Sequence, residues 1–123
     1  MNDETLKYYT ALQPLFREKM GEWMEGDRYT FDGYLCGPWV IDYTEVPVEK
    51  GFKDIIRLPF TIDDQNPERG LLGMFSDFFL IQHGEDGEWS CLFCVKPNRI
   101  RTTADTPTLA ILKALAEQEG VKI

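Results

Sequence analysis

The sequence has no apolar run long enough to cross a membrane. A transmembrane helix needs about 20 consecutive apolar residues, and the apolar runs of this 123-residue chain are all far shorter. The first residues, Met1-Asn2-Asp3-Glu4, are acidic where a signal peptide would be basic. The sequence therefore predicts a protein that needs no membrane and stays in the cytoplasm of the cell that makes it.

Cysteine and histidine are scarce, which limits the redox and metal chemistry that the chain can perform. Three cysteines, Cys36, Cys91 and Cys94, favour reduced thiols over a set of disulfides. Together with His83 they could supply the four ligands of a zinc site. Cys91 and Cys94 lie in an alternating, strand-like run, however, and alternation places them on opposite faces. We therefore expect no metal and no cofactor.

Positively charged residues are also fewer than negatively charged ones. The chain has 13 Lys and Arg against 21 Asp and Glu, a formal net charge of -8. Nucleic-acid affinity comes mainly from Lys and Arg that displace counterions from phosphates, so we expect no nucleic-acid partner. The acidic residues are dispersed along the chain, which favours a role in solubility over mimicry of nucleic acid.

Recognisable catalytic motifs are missing as well. The sequence contains no nucleophile elbow, no phosphate-binding P-loop and no zinc-protease helix motif. Asp63, Asp64 and Glu68 could form an acid–base or metal site with His83, which makes a small hydrolase or metal-dependent enzyme the alternative function. The same carboxylates suit a loop that enters a helix, where they accept hydrogen bonds from backbone N–H groups. We favour that interpretation and predict no catalytic residue.

What the chain does contain is enough apolar side chain to fill one core. Its composition is 43% hydrophobic and 13% aromatic, and its length is close to the commonest domain size. We predict a single domain spanning residues 1–123.

Helix signals stand at both ends of the chain. Near the N-terminus, apolar residues recur at spacings of three and four, and Pro14 interrupts them. Either the helix is kinked there, or a first helix ends and a second begins with Pro14 in its first turn. Near the C-terminus, Thr106 is a predicted N-cap, Pro107 opens the helix and Gly120 ends it.

Between the helices, aromatic and β-branched runs alternate with turn residues, which is typical of strands. The pair Asp86-Gly87 predicts a hairpin, since a tight turn needs positive φ. We predict an α+β fold with one antiparallel sheet of about four to five strands and the N-terminal and C-terminal helices packed against it. Five strands are predicted, over Arg28 to Phe31, Trp39 to Tyr43, Lys53 to Leu58, Phe78 to Gln82 and Trp89 to Val95, and the run Arg99 to Thr103 could add a short final one.

The central block Ile62-Asp63-Asp64-Gln65-Asn66-Pro67-Glu68-Arg69-Gly70 predicts a loop followed by a short helix over Pro67 to Phe75. Asn66 is its predicted N-cap, and Glu68 and Arg69 could fix the loop by an ion pair. Aromatic side chains that reach the surface can anchor a protein partner. We predict a set of binding residues that combines this block with two tryptophans: Asp63, Asn66, Glu68, Arg69, Trp39 and Trp89.

This block also carries a family resemblance. Leu58-Pro59, Ile62-Asp63 and the segment from Asn66 to Met74, with Thr106-Pro107-Thr108 and Glu119-Gly120-Val121 downstream, resemble small uncharacterised proteins encoded by phages and prophages of bacteria. The resemblance implies a phage or prophage origin, hence the cytoplasm of a bacterial host cell, and an accessory role. Because the chain has no catalytic motif, we expect it to act through protein contacts with an unknown host or phage protein. It implies no catalytic residues.

Overall fold

The structure, a computed structural model, describes residues 3–31, 34–41, 55–60, 70–75 and 79–123. Helices lie at both ends of this part of the chain, with strands between them. The helices are α1 (Asp3–Ala11), α2 (Gln13–Met20) and α3 (Pro107–Glu119), and a 3-10 turn covers Leu72–Met74. The strands are β1 (Arg28–Phe31), β2 (Tyr34–Val40), β3 (Ile56–Leu58), β4 (Phe79–His83), β5 (Trp89–Val95) and β6 (Asn98–Ala104).

The predicted α+β class is confirmed, but the prediction of a single sheet of four to five strands is wrong. The strands form two antiparallel sheets of three: sheet 1 has the order β2-β1-β3, and sheet 2 has the order β4-β5-β6. One physical reason is visible at β3. The side-chain amide of Gln13 bonds to both the N–H and the C=O of Arg57, the backbone groups that a further strand would need.

The N-terminal helices break where the proline predicts. α1 ends at Ala11 and α2 begins at Gln13, with Pro14 in its first turn. Proline is tolerated there because the first N–H groups of a helix have no partner within the helix. Leu12 lies between the two helices and is fully buried. The alternative with two helices is therefore confirmed.

Helix α3 has the ends that its sequence predicts. Thr106 accepts a hydrogen bond from the Leu109 N–H at 3.2 Å through its side-chain oxygen, and Gly120 adopts a left-handed conformation with φ of +67°. The helix is the centre of the core, because apolar side chains on most of its circumference are buried. Its buried residues are Leu109, Ala110, Ile111, Leu112, Ala114, Leu115 and Ala116.

The hairpin prediction for sheet 2 is also confirmed. β5 has the predicted bounds, and Gly87 lies in the turn with φ of +83°. In sheet 1, β1 has its predicted bounds, whereas β2 covers Tyr34–Val40 instead of beginning at Trp39. β2 is an edge strand, the position in a sheet where proline is tolerated, so Pro38 does not end the strand.

The core lies between the helices and sheet 2, and it extends to β3. The apolar residues after the central block reach it as predicted, since Leu71 and Met74 are buried. Residues 61–69 lie outside the described part of the structure. Of the predicted helix over Pro67 to Phe75, the described residues form only the 3-10 turn Leu72–Met74, because Gly70 pairs with Phe60 in an isolated bridge instead. In the described segments, no helix is long and apolar enough to cross a membrane.

Candidate protein-binding site

A buried ion pair lies beneath the outer face of sheet 1. Arg57, in the middle of β3, is 1% exposed, and its Nη2 lies 3.4 Å from Oδ2 of Asp27, which is also buried. The Arg57 Nη1 donates to the carbonyl oxygen of Gly21 at 2.6 Å, and the Asp27 carboxylate accepts from the Met24 N–H at 2.9 Å. The ion pair thus ties the loop of residues 21–27 to β3.

Aromatic rings cover this ion pair. The Arg57 guanidinium lies 4.2 Å from the centroid of the Trp23 ring, a cation–π contact that is strongest when it is shielded from water. Trp23 packs edge-on against Tyr29, with 6.0 Å between the ring centroids. Tyr29 pairs with Arg57 on one side and with Trp39 on the other. Because paired residues share a sheet face, Trp39, Tyr29 and Arg57 form one row.

The end of this row is exposed. The loop of residues 21–27 joins the end of β2 through hydrogen bonds between Gly26, Asp27 and Ile41, each 3.0 Å long. At this junction Met24 is 60% exposed, Trp39 53% and Val40 66%. We call these three residues the exposed corner. Among the described residues, only Leu80 and Ile123 are further large apolar side chains with comparable exposure.

Of the two tryptophans predicted to bind, the structure places Trp39 at the exposed corner and Trp89 elsewhere. Trp89 begins β5, is half-buried and packs against the core. The ring of His83 stacks on it at 4.4 Å between centroids, with 14° between the planes. Trp89 therefore offers a partner less free surface than Trp39.

The remaining predicted binding residues belong to the central block. Asp63, Asn66, Glu68 and Arg69 lie outside the described residues, and so does Asp64 of the alternative enzyme site. Only His83 of that alternative site is described, and it is exposed at the end of β4.

The cysteines of sheet 2 face in opposite directions, as the strand alternation predicts. Cys91 is fully buried on the face that meets the core, and burial raises the pKa of its thiol from 9.0 to about 11. Cys94 is half-buried three residues later on the other face. Both are free thiols. The side chain of Cys36 lies outside the described part, and among the described residues no group of three His, Cys, Asp or Glu side chains could hold a metal ion.

A concave feature lies beside sheet 2. A groove of about 580 Å³ runs between α1, α3 and the end of β6. Lys113 crosses it, with its Nζ 3.5 Å from a Glu4 carboxylate oxygen and 3.0 Å from the carbonyl oxygen of Thr103. The groove is polar and its lysine is already engaged, so the exposed corner is the better candidate for binding an apolar anchor.

Sequence reasoning missed the Asp27–Arg57 pair. The available signal was Arg57 itself, a lone charge in the otherwise apolar run Ile55-Ile56-Arg57-Leu58. Alternation alone predicts that such a side chain faces solvent. It is buried because the loop that carries Trp23 folds over it.

Comparisons with protein-family models, with curated proteins and with solved structures found no match to this chain.

Proposed function

We propose that this chain is an accessory protein of phage or prophage origin that acts by binding another protein, and that the exposed corner is its binding surface. The observation that carries the proposal is the exposure of three large apolar side chains, Met24, Trp39 and Val40, near the junction of the loop of residues 21–27 with β2. Large apolar side chains are costly to leave in water, and grouped ones mark interaction sites.

Several contacts hold the base of this surface in place, which favours binding. Trp39 extends a row whose other members, Tyr29 and Arg57, are held by ring packing and by a buried ion pair. A preorganised anchor loses little side-chain entropy when a partner covers it. Tryptophan is also the residue type most enriched among the anchors that dominate binding energy.

The proposed setting is the cytoplasm of the bacterial host. The free thiols of Cys91 and Cys94 support it, because reduced cysteines persist in a reducing compartment. The sequence resemblance to phage and prophage proteins supports the origin.

Affinity capture from bacterial lysate, with and without phage infection, tests the proposal. Wild-type protein should retain a partner that Trp39→Ala loses, since truncating an anchor costs about 2 kcal/mol, roughly 30-fold in affinity. Leu80→Ala is the matched control, because Leu80 is an exposed apolar residue of the other sheet. Each captured partner is then titrated with all three purified proteins. If no partner depends on Trp39, the proposal is wrong.

A further inference from the structure

The last strand of sheet 2 has an open edge. β6 pairs with β5 on one side, and no strand in the described ranges pairs with its other side. The two-residue turn Lys96-Pro97 pairs Val95 with Asn98, and hydrogen-bonded pairs alternate along an antiparallel ladder. The backbone groups of Arg99, Arg101 and Thr103 therefore face away from β5.

The position of Lys113 agrees with this orientation of the β6 backbone groups. Lys113 donates its Nζ to the carbonyl oxygen of Thr103 at 3.0 Å from outside the sheet. The N–H and C=O of Arg99 and Arg101 point to the same side. An extended chain laid along β6 could bond to these groups as a fourth strand.

The charge of this edge is opposite to that of the whole molecule. Residues 89–104 contain Lys96, Arg99 and Arg101 and no Asp or Glu, in a chain of net charge -8. Arg99 and Arg101 are two residues apart, so they project from the same face, and both are exposed. The Arg101 guanidinium is held in place by Ser90, with its Nη2 2.9 Å from the Ser90 Oγ.

The positive charge of this edge determines which kind of strand can pair with β6. Two β6 edges paired with each other would bring arginines opposite arginines, which is destabilising, so a second copy of the chain is a poor occupant. We propose that the open edge of β6 binds an extended, acidic segment of a partner protein by strand addition. Acidic residues at alternate positions lie opposite Arg99 and Arg101, and the positions between them face the groove that Lys113 crosses.

This site is separate from the exposed corner, so either proposal can fail alone. The test uses the wild-type protein and four labelled seven-residue peptides, with binding followed by fluorescence anisotropy. One peptide alternates Glu and Val, and one alternates Lys and Val. Two further versions of the acidic peptide carry N-methyl groups, one version on the Glu amides and the other on the Val amides. Each set of methyl groups blocks hydrogen bonding along one edge of the peptide strand and leaves every charge in place.

We expect the acidic peptide to bind and the basic one not to bind. One of the two methylated peptides should lose at least about tenfold in affinity and the other should bind like the parent, because strand addition uses one edge of the peptide. Hydrogen exchange of the wild-type protein should slow at the Arg99 and Arg101 amides when the acidic peptide is present. Neither readout depends on a variant that has to fold.

Variants then locate the site. Arg99→Glu with Arg101→Glu should weaken binding of the acidic peptide at least about tenfold. Lys7→Glu with Lys19→Glu, at exposed positions of α1 and α2, makes the same change in net charge and should have a small effect. Trp39→Ala should bind like wild type. Absence of binding, equal binding of both methylated peptides, or equal loss in the two charge variants would each overturn the proposal.

Discussion

Sheet 1 and sheet 2 each have three antiparallel strands, but different interactions hold them in the molecule. Sheet 2 lies on α3 through a buried apolar surface that includes Cys91, Phe93 and Ala104. The outer face and edge of sheet 1 are held by polar groups: the Asp27–Arg57 ion pair and the amide of Gln13. The comparison teaches that a small domain can hold one sheet in place through buried polar contacts, where the other sheet relies on apolar packing.

The two modes of attachment should respond differently to mutation. A buried ion pair becomes costly when one member is removed, whereas apolar packing loses stability in proportion to the volume removed. Four experiments test this difference.

The largest effect is expected at Asp27. Asp27→Asn keeps the size of the side chain but removes a carboxylate that compensates the buried Arg57 guanidinium, so the free energy of unfolding should fall by about 3 to 5 kcal/mol. Urea unfolding measures it. The double variant Asp27→Asn with Arg57→Met buries no charge at this site and should regain part of the loss. A single variant with wild-type stability would show that the ion pair does not hold sheet 1.

Leu112→Ala tests the apolar attachment of sheet 2. Leu112 is fully buried in α3, and the cavity left by the truncation should cost about 2 to 5 kcal/mol of unfolding free energy. The matched control is Leu80→Ala on β4, where the side chain is 40% exposed and the cost should be about 0.5 kcal/mol or less. Equal midpoints for the two variants in urea would mean that α3 does not hold the sheet.

The pKa of the Cys91 thiol reports how strongly the surface between sheet 2 and the core is shielded from water. Its pKa is raised from 9.0 to about 11 by burial, so between these pH values the unfolded chain loses a proton that the folded chain keeps. Stability should be unaffected below pH 9 and should fall by up to about 3 kcal/mol as the pH rises through 11. Urea unfolding of wild type and Cys91→Ala from pH 8 to 11 isolates this group. Parallel curves for the two proteins would contradict the prediction.

The smallest effect is expected at Thr106, an exposed residue whose side chain makes a partly buried contact at the start of α3. Thr106→Ala removes the oxygen that accepts from the Leu109 N–H and should cost about 0.5 to 2 kcal/mol. Thr106→Ser keeps the oxygen and should remain near wild type in the same thermal unfolding assay. A cost as large as that of Asp27→Asn would remove the distinction between buried and partly buried polar contacts.

The sequence predicts those features that depend on neighbouring residues. Thr106 and Gly120 mark the ends of α3, and Pro14 marks the start of α2, because capping and proline geometry act within one helical turn. The division into two sheets was not predictable in this way. It depends on the contact between Gln13 and Arg57, which lie 44 positions apart.

The candidate site shows the same limit. Trp39 was among the predicted binding residues because aromatic side chains can anchor partners, but its 53% exposure follows from its place on an edge strand. The loop that covers Arg57, residues 21–27, is also distant from it in sequence. Local alternation gives the face of a residue and leaves open whether another segment covers that face.

The Gln13 contact also has a consequence for the order in which a growing chain can fold. The Gln13 side chain bonds to Tyr9 in α1 and to Arg57 in β3, and it is buried in the finished protein. Before Arg57 has been synthesised, the side-chain amide of Gln13 has only water and Tyr9 as partners. The N-terminal helices are made first, but they cannot reach their final packing until β3 leaves the exit tunnel, so this end of the protein is completed together with a strand made much later.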